Sequence, residues 1–126
     1  MFSDSEVEFL KSQWVCRIAT VSPEGWPHNV PVGFVFDGKS FYVTSDPGAK
    51  KLKNMQTNNR VCLIIDVAKA PRRAVMVQGL ATLVEHGEEF ARINEFISQQ
   101  WGGKKWEEGQ QVAVKIEPTK KTSWGI

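Results

Sequence analysis

The stretch Phe41–Asp66, FYVTSDPGAKKLKNMQTNNRVCLIID, decides how the chain folds, because it reads as strand, turn, short basic helix and strand. Phe41 to Thr44 is aromatic and β-branched, and it delivers two small hydroxyls, Thr44 and Ser45, to the turn Asp46-Pro47-Gly48. Ala49, Leu52 and Met55 then recur on one helical face, and Asn58-Asn59 closes that helix. Arg60 to Asp66 is a near-continuous apolar run, which predicts a strand buried on both faces. The helix has unusual electrostatics. Lys50 and Lys51 fall in its first turn, at the positive end of the helix dipole, where a cation is disfavoured by about 0.3–1 kcal/mol. A bound anion would reverse that, since free backbone N–H groups and two ammonium groups together make a phosphate site. The alternative is a solvated lysine face on a surface helix.

Working back from this stretch, Asp37-Gly38 is a hairpin turn that joins it to HNVPVGFVF, residues 28–36. There Val30, Val32, Phe34 and Phe36 share one face, while Asn29, Pro31, Gly33 and Val35 share the other. Gly33 raises no side chain and Pro31 lacks an N–H, so the second face either lets a flat ligand approach the backbone or marks an edge strand or bulge. Trp14 to Val21 is a further strand, ended by Ser22-Pro23-Glu24-Gly25, and its one charge, Arg17, serves either the strand face or a ligand. Residues 2–13 carry a helix start: Ser3 as N-cap, Glu6 as capping-box partner, and Phe2 placed to staple Val7. Val7, Leu10 and Trp14 form its expected buried stripe.

Forward of the stretch, a loop with Pro71 leads into a strand, Ala74 to Glu85. Gln78 lies inside its apolar run and is expected to need a polar partner. Gly87 to Trp101 is an amphipathic helix through Phe90, Ile93, Phe96 and Ile97, ended by Gly102-Gly103. Gln111 to Glu117 alternates as a last strand, which Pro118 is expected to stop, leaving a tail with Trp124. Six strands and three helices with mostly short connections predict a mainly β fold, a six-stranded antiparallel barrel with peripheral helices, as a single domain over 1–126.

Composition narrows the function. With 126 residues, 24% charged, 41% hydrophobic and a net charge of +2, the chain suits an ordinary soluble domain that dimerisation would help stabilise. The lysines and arginines are too scattered for nucleic acid, and no membrane span is expected. Two cysteines, Cys16 and Cys62, and two histidines, His28 and His86, have no metal-site spacing. Both cysteines read as reduced core residues of a cytoplasmic protein. Five tryptophans exceed what so small a core needs, which points to an interface or a planar ligand. Trp14 is assigned to the core, and Trp106 and Trp124 to the interface or ligand.

The segments ATVSPEGWPHNVPVGFVF, FYVTS, KKLKNMQTNNRVCLIID and VQGLATLVE, in that order, give the chain a resemblance to the pyridoxamine 5′-phosphate oxidase-like family of flavin-binding split barrels. That resemblance implies an FMN-binding homodimer with cofactor sites at the subunit interface. It implies that the backbone of Val30, Pro31 and Val32 lies along the flavin ring, that Thr44 and Ser45 approach the ribityl-phosphate end, and that Lys50 and Lys51 hold the phosphate. Gln78 would approach the ring from the second subunit, with Trp106 or Trp124 covering the site from the partner. The chain departs from the true oxidases. Val30 and Val35 stand where those carry a second-strand arginine and lysine, Ala74 replaces a glutamine, and the basic C-terminal substrate segment is missing. The short form is more similar to the family's flavin reductases, and to relatives that use a deazaflavin or bind haem. The expected function is therefore an FMN-dependent oxidoreductase passing hydride or electrons to a small molecule, with a deazaflavin-dependent reductase or a non-catalytic flavin or haem carrier as alternatives. No nucleophile or paired-carboxylate constellation is legible. His28 is the one acid–base candidate, its alternative being a surface histidine at a strand start.

Overall fold

The computed structural model describes all residues, Met1–Ile126. Six strands, β1 (Val15–Val21), β2 (Pro27–Phe36), β3 (Phe41–Ser45), β4 (Arg60–Val67), β5 (Arg73–Val84) and β6 (Val112–Trp124), alternate with helices α1 (Asp4–Ser12), α2 (Lys50–Thr57) and α3 (Gly87–Trp101). The strands close into an antiparallel barrel in the order β1-β2-β3-β6-β5-β4. Period-two alternation sets the core. Cys16 and Ile18, Phe34 and Phe36, Phe41 and Val43, Leu63 and Ile65, Val75 and Val77, and Val114 and Ile116 all point inward into one cluster.

Two helices plug this barrel. The strand polarity puts the start of β1 and the end of β2 at one rim and the starts of β2 and β4 at the other. At the first rim, α1 inserts Phe9 and Leu10, and Phe2 meets Phe36 and Phe41 edge-on at 5.3 and 6.0 Å. At the second, α2 inserts Leu52 and Met55. The third helix lies on the outer wall, where Phe90, Ile93 and Ile97 cover Val35, Tyr42, Val84 and Ala113.

The capping box of α1 forms as the sequence predicts. Ser3 N–H donates to Glu6 Oε1 at 2.8 Å, and Glu6 N–H donates to Ser3 Oγ at 3.1 Å. Lys121 Nζ also donates to both Glu6 oxygens, at 2.7 and 2.8 Å. Burial alone would raise the pKa of this carboxylate, but the hydrogen bonds from Lys121, Ser123 and Ser3 outweigh it and hold the value at about 2.

Four expectations are corrected. Trp14 is not core, since the α1 stripe ends at Phe9 and Leu10 and Trp14 is 69% exposed beyond it. Pro118 does not end the last strand. Gln78 pairs with Lys120 and Gly79 with Pro118, so Thr119 bulges out and the ladder with β5 continues to Trp124. Proline is tolerated at a bulge, where a ladder donor is not needed, and a Cβ at Gly79 would lie 2.7 Å from the Glu117 carbonyl oxygen. The strand β4 is buried on one face only, because Cys62 and Ile64 point outward and are half-buried. Gln78 is exposed on the same outer wall, so it has no burial cost to offset.

Candidate functional site

The β3–α2 corner is built to receive an anion. Ala49 is the N-cap of α2 and offers no side-chain cap, and the first turn contains no acidic residue. Leu52 and Lys53 donate their N–H groups to the Ala49 carbonyl at 3.0 and 3.2 Å, whereas those of Lys50 and Lys51 find no acceptor in the chain. Gly48, at φ +80°, makes the turn that leaves these donors uncovered. Lys51 is half-buried and Lys50 exposed. Of the two hydroxyls, only Thr44 faces outward. Ser45 is buried, and its Oγ donates to the Asp46 carbonyl at 3.1 Å.

This corner is held in place from inside the barrel. Asn54, fully buried on α2, donates through Nδ2 to Thr20 Oγ1 of β1 at 3.0 Å. Thr20 is paired in register with His28, so both side chains lie on the inner face. His28 Nδ1 and Asn54 Oδ1 are buried without a partner in the chain. The imidazole thus sits on the opposite side of β2 from Pro31 and Gly33.

The outer face of β2 is where the barrel splits. The β2–β3 ladder holds only Phe34–Phe36, so the edge of β2 from Asn29 to Gly33 that faces β3 is unpaired. Phe34 N–H donates to the opposed Trp14 carbonyl at 3.0 Å, which directs the amide groups of the even-numbered residues, Val30 and Val32 among them, into the β1 ladder. The free polar groups on this edge therefore belong to Asn29, Pro31 and Gly33 rather than to Val30 and Val32, whose side chains pack on the core. Beside it lies a cleft of about 580 Å³ lined by Trp14, Val15, Gly33, Thr44, Gln100 and Trp101. The Trp101 ring presses on the floor, for a Cβ on Gly33 would sit 2.8 Å from its Cη2.

A second outer surface lies on β1, β4 and β5. Ala19, Val21, Cys62, Gln78 and Leu80 line a depression of about 540 Å³ there, and outside it Arg17 Nη1 of β1 pairs with Asp66 Oδ1 of β4 at 2.9 Å. Arg17 is thus engaged with its own strand face. Cys62 points outward and Cys16 inward, on opposite sides of the wall; burial pushes the Cys16 thiol up to about 12 and raises that of Cys62.

The structure puts Thr44 and Gly33 on one cleft, and Lys50 and Lys51 at the start of the helix that follows β3. It does not bring Gln78 to them within one subunit. From β2 to β5 by way of β1 and β4 is three strand spacings, roughly 14 Å. Trp106 is clamped to α3, its N–H donating to Asn94 Oδ1 at 3.1 Å and its carbonyl accepting from Asn94 Nδ2 at 2.6 Å, with its ring on the cluster under that helix. Trp124 ends β6 opposite Ala74 and is 50% exposed. The tryptophans at the cleft, Trp14 and Trp101, are ones the sequence reading assigned to no site.

Known proteins share this fold. A 5a,11a-dehydrotetracycline/5a,11a-dehydrooxytetracycline reductase of Streptomyces rimosus is 29% identical over 133 residues, covering 99% of this chain and 84% of that protein. A solved Listeria innocua structure, assigned as a pyridoxamine 5′-phosphate oxidase, superposes with a TM-score of 0.80 at 26% identity over 95% of each chain. An F420 reductase has the same fold, with a TM-score of 0.77 at 21% identity over 96% of this chain and 98% of that one. The pyridoxamine 5′-phosphate oxidase family profile matches residues 2–125, and the chain belongs to that family.

Proposed function

We propose that the protein is an FMN-dependent oxidoreductase that works as a homodimer. One observation carries this reading: an uncapped helix start with two lysines and two unpartnered N–H groups follows directly on β3, whose Thr44 shares a cleft with Gly33 on the unpaired, side-chain-poor edge of β2. The first fits a phosphate and the second fits a flat polar ring, so the residues present suit a phosphorylated planar cofactor. Lys50, Lys51 and the amides of α2 would hold the phosphate, Thr44 would meet the ribityl chain, and the Asn29–Gly33 edge would hydrogen-bond the ring. Once bound, the flavin supplies hydride transfer between a reduced nicotinamide and a second small molecule. The chain's own part is to bind, to orient, and to exclude water. A partner subunit would bring Gln78 to the ring from the β4–β5 wall. The reductase name of the Streptomyces relative supports redox chemistry, and the absence of cations around Gly33 argues against a phosphate ester as the substrate.

Purified protein is expected to be yellow, to release FMN on denaturation, and to oxidise NADH or NADPH when an acceptor is supplied. Colourless protein that takes up no added FMN in a fluorescence titration would reject the reading. A deazaflavin with a phosphorylated tail could use the same corner, and a competition titration in which it displaces FMN at lower concentration would reassign the cofactor.

A further inference from the structure

We infer that the cleft between β2 and the C-terminal end of α3 receives an uncharged, planar, ring-containing substrate. All six residues that line it are uncharged: Trp14, Val15, Gly33, Thr44, Gln100 and Trp101. Its volume of about 580 Å³ suits a small molecule of several fused rings. The two tryptophans are 69% and 37% exposed, so each presents an aromatic face that packing within the chain leaves uncovered. The floor is backbone. Trp101 fits against it because position 33 is glycine, and any Cβ there would meet the ring at 2.8 Å. The indole therefore covers the backbone at Gly33, and a flat molecule entering the cleft meets the aromatic surfaces of Trp101 and Trp14. With Thr44 given to the ribityl chain, the Gln100 amide is the side-chain group of this lining that can hydrogen-bond a carbonyl or hydroxyl on such a molecule. An anionic substrate finds no counter-charge in this lining and would lose hydration without replacing it.

The inference rests on the flavin reading in one respect. Gly33 and Thr44 belong both to the cleft and to the surface assigned to the cofactor, so a molecule in the cleft would stand against the ring.

Coumarin, an uncharged planar bicyclic lactone, serves as the probe, with pyridoxal 5′-phosphate as the anionic counterpart. Binding to the FMN-loaded protein is measured by equilibrium dialysis, and FMN affinity is measured separately by flavin fluorescence. Wild type is expected to bind coumarin more tightly than pyridoxal 5′-phosphate. Trp101→Ala should weaken coumarin by about tenfold while Trp101→Phe keeps most of it, because stacking needs a ring rather than an indole nitrogen. Gln100→Lys, on the exposed end of α3, should shift the preference toward pyridoxal 5′-phosphate. FMN affinity should change less than about twofold in Trp101→Phe and Gln100→Lys, which keep a ring against Gly33 and do not touch the phosphate corner, and the coumarin loss in Trp101→Ala is read on protein held saturated with FMN. Equal coumarin binding by wild type and Trp101→Ala, or a wild-type preference for the phosphate ester, overturns the inference. Failure of the wild type to bind FMN rejects the flavin reading instead, and the same dialysis on the FMN-free protein then decides the cleft.

Discussion

Lys51 and Lys53 are two residues apart on α2 yet differ in surroundings. Lys51 is half-buried in the turn whose N–H groups lack acceptors, and Lys53 is exposed with its own N–H bonded to Ala49. If Lys51 pairs with the cofactor phosphate, Lys51→Ala should weaken FMN binding by about tenfold and Lys53→Ala by less than about twofold, since exposed charges contribute little. Equal losses in a fluorescence titration would leave only a general charge effect. Glu6 makes a prediction that does not depend on function. Its pKa of about 2 lies below the 4.5 of the free side chain, so its stabilisation is present above pH 4.5 and is lost as pH falls toward 2. The shift corresponds to about 3 kcal/mol. Urea midpoints should drop over that window, and Lys121→Met, which strands a carboxylate that is 3% exposed, should flatten the dependence while costing about 3 kcal/mol at pH 7. At this scale the charged residues were legible in the sequence and the tryptophans were not. The positions of Lys50 and Lys51 in a helix start follow from local spacing, and so does the Ser3–Glu6 capping box. Trp14 and Trp101 sit at element ends, where local spacing no longer says which way a side chain points, and their sharing one cleft at Gly33 depends on where α3 docks.

The helix α2 joins core to site as one element. Its Leu52 and Met55 seal the barrel rim, Asn54 bonds Thr20, and the first turn, less than two turns upstream, carries the unpartnered amides. Asn54→Ala leaves the Thr20 hydroxyl buried without its donor, an expected loss of about 1–3 kcal/mol in denaturant unfolding. Replacing both partners, as Asn54→Leu with Thr20→Val, should recover most of that loss, because no polar group is then stranded. Should the double variant be as unstable as the sum of the single ones, the bond would not be what holds α2. The sequence placed α2 correctly and described its core stripe, but it could not expose the tie to Thr20, which spans 34 residues. The strand β6 was misread for a related reason. Pro118 is a stop signal only when a ladder needs its N–H, and the bulge opposite Gly79 removes that need.

At the scale of the molecule, element count and antiparallel hairpins were legible, and closure was not. Inserting β6 between β3 and β5 pairs Val43 with Val114 and Val75 with Ser123, contacts that no local pattern encodes. The outer wall carries apolar residues that the single chain leaves uncovered. Apolar residues on both faces of β4 misled the strand reading toward double burial, and in the single chain Cys62 and Ile64 remain half-exposed beside the exposed Leu80. Packing within one chain leaves this face open, and in the homodimer proposed above a second copy would cover it. Gln78 stands on that same wall, three strands round the barrel from the ring-facing edge of its own chain. Assembly and cofactor binding should therefore fail together. Sedimentation equilibrium is expected to give twice the 14.2 kDa chain mass. Leu80→Arg, whose side chain meets no core residue, should give a folded monomer with unchanged far-UV circular dichroism and FMN binding weaker by about tenfold or more. A Leu80→Arg monomer that binds FMN as tightly as wild type would mean that one subunit completes the site alone, and the role given to the partner's wall would have to be withdrawn.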